Sequence, residues 1–73
     1  MPTLHLNKEI YPEGSVSEAV ATFAEHAEVK MTGDDKHWVV EVSDEDADHA
    51  LLVARELGNM ALGLAIDSGS VGN

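Results

Sequence analysis

The length, composition and charge of this chain limit both its fold and its partners. With 73 residues and a mass of 7.8 kDa it has room for one domain, and a domain near this size buries only about 60% of the surface that its unfolded chain exposes. No cysteine is present, so neither a disulfide nor a thiolate zinc site can supplement the small core. The 14 acidic residues outnumber the four lysines and arginines and give a net charge of −10. This balance argues against nucleic acid and anionic membranes as partners, because both bind proteins through basic residues.

The excess of carboxylates has three readings that the sequence leaves open. A high net charge keeps a small protein solvated and limits nonspecific association, but it also suits a basic partner or a salt-adapted host. The first residues show no basic region followed by an apolar stretch, and the apolar segment 60–66 is too short to span a bilayer. We therefore expect a cytoplasmic protein.

The first third of the chain predicts a strand followed by a helix. Residues 3–7 alternate between apolar and polar side chains, which is the period of a half-buried strand. A Pro-Glu-Gly turn follows, and then Ser15 and Glu18 have the spacing of a capping box. The helix that begins there has an apolar stripe through which it should pack on a sheet, led by Phe23. The stripe comprises Val16, Ala19, Val20, Phe23, Ala24 and Ala27.

The middle of the chain predicts a β-hairpin. Val29 and Met31 alternate with polar residues, residues 32–36 form a polar loop that contains glycine, and alternation resumes at Trp38 and continues to Val42. Two such runs joined by a short glycine-containing loop are typical of a hairpin. We expect Trp38 to anchor its core.

The last third predicts a long helix. Ser43 should cap its start, with the carboxylates of residues 44–46 in the first turn, where the helix dipole favours negative charge. Helical spacing continues past Gly58, so we expect a weak point there and an end near Gly63. The predicted apolar stripe comprises Ala47, Ala50, Leu51, Ala54, Leu57, Ala61 and Leu62. Residues 1–67 should form a single compact domain, and the small, polar residues 68–73 a disordered tail.

Together the elements predict an α+β fold of order β-α-β-β-α. A right-handed crossover from the first strand to the second leaves room for the third strand between them, with both helices on one face of a three-stranded sheet. The other face would then be open to solvent. It should present His5, Lys30, His37, Val39 and Glu41.

Candidate catalytic and metal-binding groups are sparse. The histidines are His5, His26, His37 and His49. No two of them have metal-ligand spacing, and the serines and threonines form no nucleophile motif. His37 or His49 could approach Asp34, Asp35 or Asp48 in space, and a carboxylate beside an imidazole can tune a proton-transfer group. The acidic run at residues 44–48 lacks the spacing of a calcium loop and is better explained as helix capping. We predict no enzyme activity in isolation, no cofactor and no metal.

Two segments resemble a known family. Residues 7–11 read Asn-Lys-Glu-Ile-Tyr and precede the serine-rich start of an alanine-bearing helix, and residues 56–64 read Glu-Leu-Gly-Asn-Met-Ala-Leu-Gly-Leu. With the chain's length and element order, they resemble the small HxsD-like proteins of His-Xaa-Ser peptide-modification systems, over residues 6–64. The resemblance implies an accessory protein that works beside radical enzymes acting on a ribosomally made peptide. It implies protein binding without a cofactor and assigns no functional residue.

Two classes of function follow from the sequence. The first and preferred one is an accessory or adaptor protein that binds a partner protein or peptide through an edge strand, the open sheet face or the end of the second helix. The second is a homodimer whose paired sheet faces form a ligand pocket or a modest catalytic site with His37 and nearby carboxylates. The candidate partner-binding residues are Val39, Gly58, Asn59, Met60, Leu62 and Leu64.

Overall fold

The computed structural model describes residues 2–67 and contains five elements in the predicted order. They are β1 (Thr3–Asn7), α1 (Glu13–Phe23), β2 (Glu28–Gly33), β3 (His37–Ser43) and α2 (Ala47–Asp67). The α+β fold is therefore confirmed. The predicted tail, residues 68–73, lies outside the described residues.

The sheet has the order β1-β3-β2, and both pairings are antiparallel. The third strand thus lies between the first two, in the space that the crossover leaves, although the sequence alone left the sheet order open. Val40, at the centre of β3, pairs with Leu4 of β1 on one side and with Met31 of β2 on the other. Because side chains alternate along a strand, this register places the apolar side chains of all three strands on one face, with the exception of Val39.

Both helices pack on this apolar face and enclose the core. The fully buried large side chains are Val16 of α1, Val40 and Val42 of β3, and Leu57 of α2. Smaller residues fill the space between them, since the other buried apolar residues include Ala19, Ala50, Ala54 and Ala61. The core is therefore made of valine, leucine and alanine, with the aromatic residues at its margin.

Helix α1 begins earlier and ends earlier than the sequence predicts. Its first residue is Glu13 and its N-cap is Pro12, whose carbonyl accepts the N–H groups of Ser15 (3.1 Å) and Val16 (3.3 Å). The predicted capping box is wrong, because Ser15 lies inside the first turn and is only 7% exposed. The helix ends at Phe23, so Ala24 and Ala27 of the predicted stripe lie beyond it.

Helix α2 starts later and ends later than expected. Ser43 is the last residue of β3, and the cap is Asp46, whose Oδ1 accepts the N–H groups of Asp48 (2.9 Å) and His49 (3.3 Å). The predicted end near Gly63 is also wrong, because the helix continues to Asp67. Ala61 and Ala65 are fully buried, and this packing on both sides of Gly63 holds the helix past the glycine.

Trp38 lies at the edge of the core and not at its centre. It is partly buried against the core, and its indole Nε1 donates a hydrogen bond to the carbonyl oxygen of Tyr11 at 2.9 Å. The ammonium of Lys8 stands 4.4 Å from the centre of its ring. A buried indole usually finds a partner for its N–H, and here the partner lies in the chain between β1 and α1.

Candidate functional site

The exposed large apolar side chains of α2 lie along one side of the helix. They are Leu51 (59% exposed), Leu52 (47%), Leu62 (37%) and Ile66 (51%), and we call this set the outer face of α2. Leu51 and Leu62 are about three turns apart and Ile66 is one turn further, so they share a side. The buried residues Val53, Leu57 and Ala61 occupy the opposite side.

The predicted partner-binding residues of α2 do not form one surface. Asn59 and Leu62 are exposed, but Gly58 and Leu64 are half-buried, and Met60 packs against the core. A side chain added at Gly58 would stand 3.8 Å from Leu4 Cδ1 of the sheet. Gly58 and Met60 thus face the inside of the molecule.

The remaining candidate, Val39, belongs to a different surface. It lies on β3 with its side chain on the open sheet face, between His5 and Thr32 in the register. The helices cover the other face, so the sheet separates Val39 from the outer face of α2. Sequence reasoning missed Leu52 and Ile66 and placed Leu51 in the core.

Two of the four histidines meet on the open sheet face. The rings of His5 and His37 stand 6.4 Å apart between centroids and are nearly perpendicular, at 85°. His37 Nδ1 is 3.7 Å from Asp34 Oδ1. This carboxylate accepts the backbone N–H groups of Lys36 (2.8 Å) and His37 (2.7 Å), and these bonds, the first of them most, lower the pKa of Asp34. The β2–β3 turn therefore places Asp34 beside His37, and the pairing of β1 with β3 places His5 beside His37.

The predicted approach of His37 to an aspartate is thus observed, but in a solvated setting. The side chain of His37 is 39% exposed and that of Asp34 is 59% exposed. At this exposure, water screens the interaction between an imidazole and a carboxylate. The arrangement is therefore open to water on the sheet surface.

His49 contacts a carboxylate that the sequence did not single out for it. Its Nδ1 bonds Asp44 Oδ2, while Oδ1 of Asp44 accepts the N–H of Glu45 at 2.8 Å. The hydrogen bond from His49 is the main reason why the pKa of Asp44 is lowered. The pair links the end of β3 to the first turn of α2, which is a structural role.

A crevice of about 400 Å³ opens beside this pair. Its walls are largely apolar and include Pro2, Val42, Ala50 and Leu51, with Asp44 among the polar residues. Leu51 therefore joins the crevice to the outer face of α2. Among residues 2–67, no group of three or more histidine, aspartate or glutamate side chains is placed to hold a metal ion.

Comparisons with known proteins add no homologue to these observations. No protein-family model matches the sequence, and searches of curated proteins and of solved structures give no significant match. Neither helix within residues 2–67 is long and apolar enough to cross a membrane.

Proposed function

We propose that this chain is a small accessory protein that binds a partner protein or peptide through the C-terminal half of the outer face of α2. The proposal rests on one observation: Leu62 and Ile66 are exposed on a helix whose adjoining, core-facing side is fully buried at Ala61 and Ala65. Covering exposed apolar surface is favourable by about 25 cal/mol per Å². An amphipathic segment of a partner that lies along these two residues would gain this energy.

The proposed setting is the cytoplasm, and the proposed process is the modification of a ribosomally made peptide by a radical enzyme. Both follow from the sequence, the second from the resemblance of residues 6–64 to HxsD-like proteins. In this role the chain is not a catalyst. It would hold either the enzyme or its peptide substrate by surface contact.

Cross-linked affinity capture from the native host, with the captured proteins identified by mass spectrometry, tests this proposal. The variants Leu62→Ser and Ile66→Ser remove the exposed apolar groups, and Ile10→Ser is the matched control, because Ile10 is 41% exposed but lies outside α2. We expect the wild type and the control to capture the same larger enzyme or small peptide. The two α2 variants should recover several-fold less.

Two results would contradict the proposal. The first is equal capture by all four proteins, which would place the contact elsewhere. The second is no specific capture by the wild type at concentrations where it is folded. Circular dichroism of each variant separates loss of binding from loss of structure.

A second candidate function is a small-ligand or proton-transfer role for His37, in a homodimer with paired sheet faces. The contact of His37 with His5 and its approach to Asp34 favour it. A thermal-shift screen of small metabolites against the wild type and His37→Gln tests this role. A ligand that stabilises only the wild type supports it, and equal shifts for both proteins reject it.

A further inference from the structure

The N-terminal half of the outer face of α2 has a pattern of charge and apolar groups that is complementary to itself. Asp48, Leu51, Leu52 and Arg55 line one surface depression. Asp48 and Arg55 are seven residues apart, which is about two turns and about 10 Å along the axis, so they share a side of the helix. The two leucines lie midway between the opposite charges, and Arg55 is the only lysine or arginine of residues 47–67.

From this pattern we infer that a second copy of the chain docks on the N-terminal half of α2, with the two helices antiparallel. A two-fold axis that passes between Leu51 and Leu52 places Asp48 and Arg55 at equal distances, about 5 Å, on either side of it. Asp48 of each copy then faces Arg55 of the other, and the leucines of both copies meet at the axis. A two-fold interface requires such self-complementarity, in which each contact occurs twice.

The alternative surface for a second copy is less suitable. Within residues 2–67, Val39 is the one strand residue with an apolar side chain on the open sheet face. Its partners in the register are His5 and Thr32. Glu41 and Lys30 form a neighbouring pair there. Burying such polar groups costs free energy unless each finds a partner, whereas the α2 surface offers Leu51 and Leu52, which are 59% and 47% exposed.

This dimer is compatible with the proposed function, and experiment can reject the dimer without rejecting partner binding, or the reverse. It covers residues 48–55 and leaves Leu62 and Ile66, two to three turns further along, at the two outer ends of the helix pair. Each copy could then hold its own partner segment. Dimerisation is measured on the purified protein alone, so its absence would not bear on partner capture.

Charge-reversal variants analysed by sedimentation equilibrium test the inference. The wild type carries −10, so Asp48→Arg changes the net charge to −8 (−10 + 2) and Arg55→Asp changes it to −12 (−10 − 2). The double variant returns to −10 and exchanges the two charges across the axis. Lys30→Asp, on the open sheet face, is the control for Arg55→Asp because it also carries −12.

The charge pairing predicts a distinctive order of dimer affinities. At about 0.15 M salt, where the screening length is about 8 Å, the wild type, the double variant and Lys30→Asp should dimerise within a few-fold of one another. Both single variants at positions 48 and 55 should dimerise about tenfold more weakly or worse, since each places two like-charge pairs beside the axis. Circular dichroism confirms that each variant is folded.

Three results would overturn the inference. A wild type that stays monomeric up to about 1 mM would show that the free energy of association is weaker than about −4 kcal/mol. Asp48→Arg dimerising as well as the wild type would show that net repulsion, and not pairing, controls association. A double variant as weak as the single variants would show that Asp48 and Arg55 do not face each other.

Discussion

The continuity of α2 through its two glycines can be tested by replacing them with alanine. A glycine inside a helix is less favourable than alanine by about 0.8–1.0 kcal/mol. A methyl group at Gly63 would meet no atom within 4 Å, and one at Gly58 would stand 3.8 Å from Leu4 Cδ1, which is an ordinary contact. Gly58→Ala and Gly63→Ala should therefore each stabilise the protein by about 1 kcal/mol. Since 1 kcal/mol raises Tm by about 4–8 °C in a domain of this size, the double variant should gain about 6–16 °C.

Gly33 provides a comparison at a more crowded position. A methyl group there would stand 3.1 Å from Trp38 Cε3 and 3.2 Å from Cζ3, so the indole would have to shift by a few tenths of an ångström. Gly33→Ala should therefore stabilise the protein less than either α2 variant does, because this shift offsets the gain from a less flexible unfolded chain. Urea and thermal denaturation followed by circular dichroism measure all three variants. If Gly63→Ala leaves Tm unchanged or lowers it, the helix does not continue past this residue in solution, and the reasoning from the packing of Ala65 fails.

Three further substitutions compare buried and exposed side chains. Leu57→Ala should lower the free energy of unfolding by about 2–5 kcal/mol, because Leu57 is fully buried. Leu51→Ala should lower it by under about 1 kcal/mol, because Leu51 is 59% exposed. Equal urea midpoints for the two variants would contradict the described orientation of α2. Trp38→Phe removes the hydrogen bond to the carbonyl of Tyr11 and should lower the free energy of unfolding by about 1–3 kcal/mol in the same assay. An unchanged urea midpoint would mean that a water molecule replaces the indole N–H as the donor to this carbonyl without loss of stability.

The order of elements could be predicted from the sequence because local patterns determine it. The alternation of apolar and polar side chains in residues 3–7 and 37–43 is typical of a β-strand, and β1 was predicted with the bounds that the structure has. The short hairpin and the right-handed crossover leave room for β3 between β1 and β2, but the sequence left the sheet order open, and the structure supplies it. Helix ends were less predictable, because backbone carbonyls and tertiary packing decide them. Pro12 starts α1 without a side-chain cap, and buried Ala65 extends α2 past a glycine.

The exposed apolar surface of α2 was only partly predictable, because the helical pattern of large apolar residues assigned the wrong side of the helix to the core. The sequence reading placed Leu51 and Leu62 in the core by virtue of their hydrophobicity. A stripe of Ala50, Val53 and Leu57 fits helical spacing equally well. These smaller residues face the core, because α2 lies close to the sheet and to α1. An apolar pattern that wraps around a helix cannot by itself tell which side faces the core. Only the packing partners resolve this ambiguity.

The link between β3 and α2 should show a specific pH dependence. The pKa of Asp44 is lowered from the ordinary value of 3.8, mainly by its hydrogen bond with His49. A carboxyl group with a lowered folded-state pKa stabilises the fold above its unfolded pKa, and this contribution is lost as the pH falls through the folded value. His49→Ala should raise the pKa of Asp44 towards 3.8. The variant should have a lower free energy of unfolding than the wild type at neutral pH, and this difference should become smaller below about pH 4. Carboxyl carbon NMR titration measures the pKa, and Asp34 is the internal control because backbone N–H groups lower its pKa. An unchanged Asp44, or an equal shift of Asp34, would refute the assignment of this effect to His49.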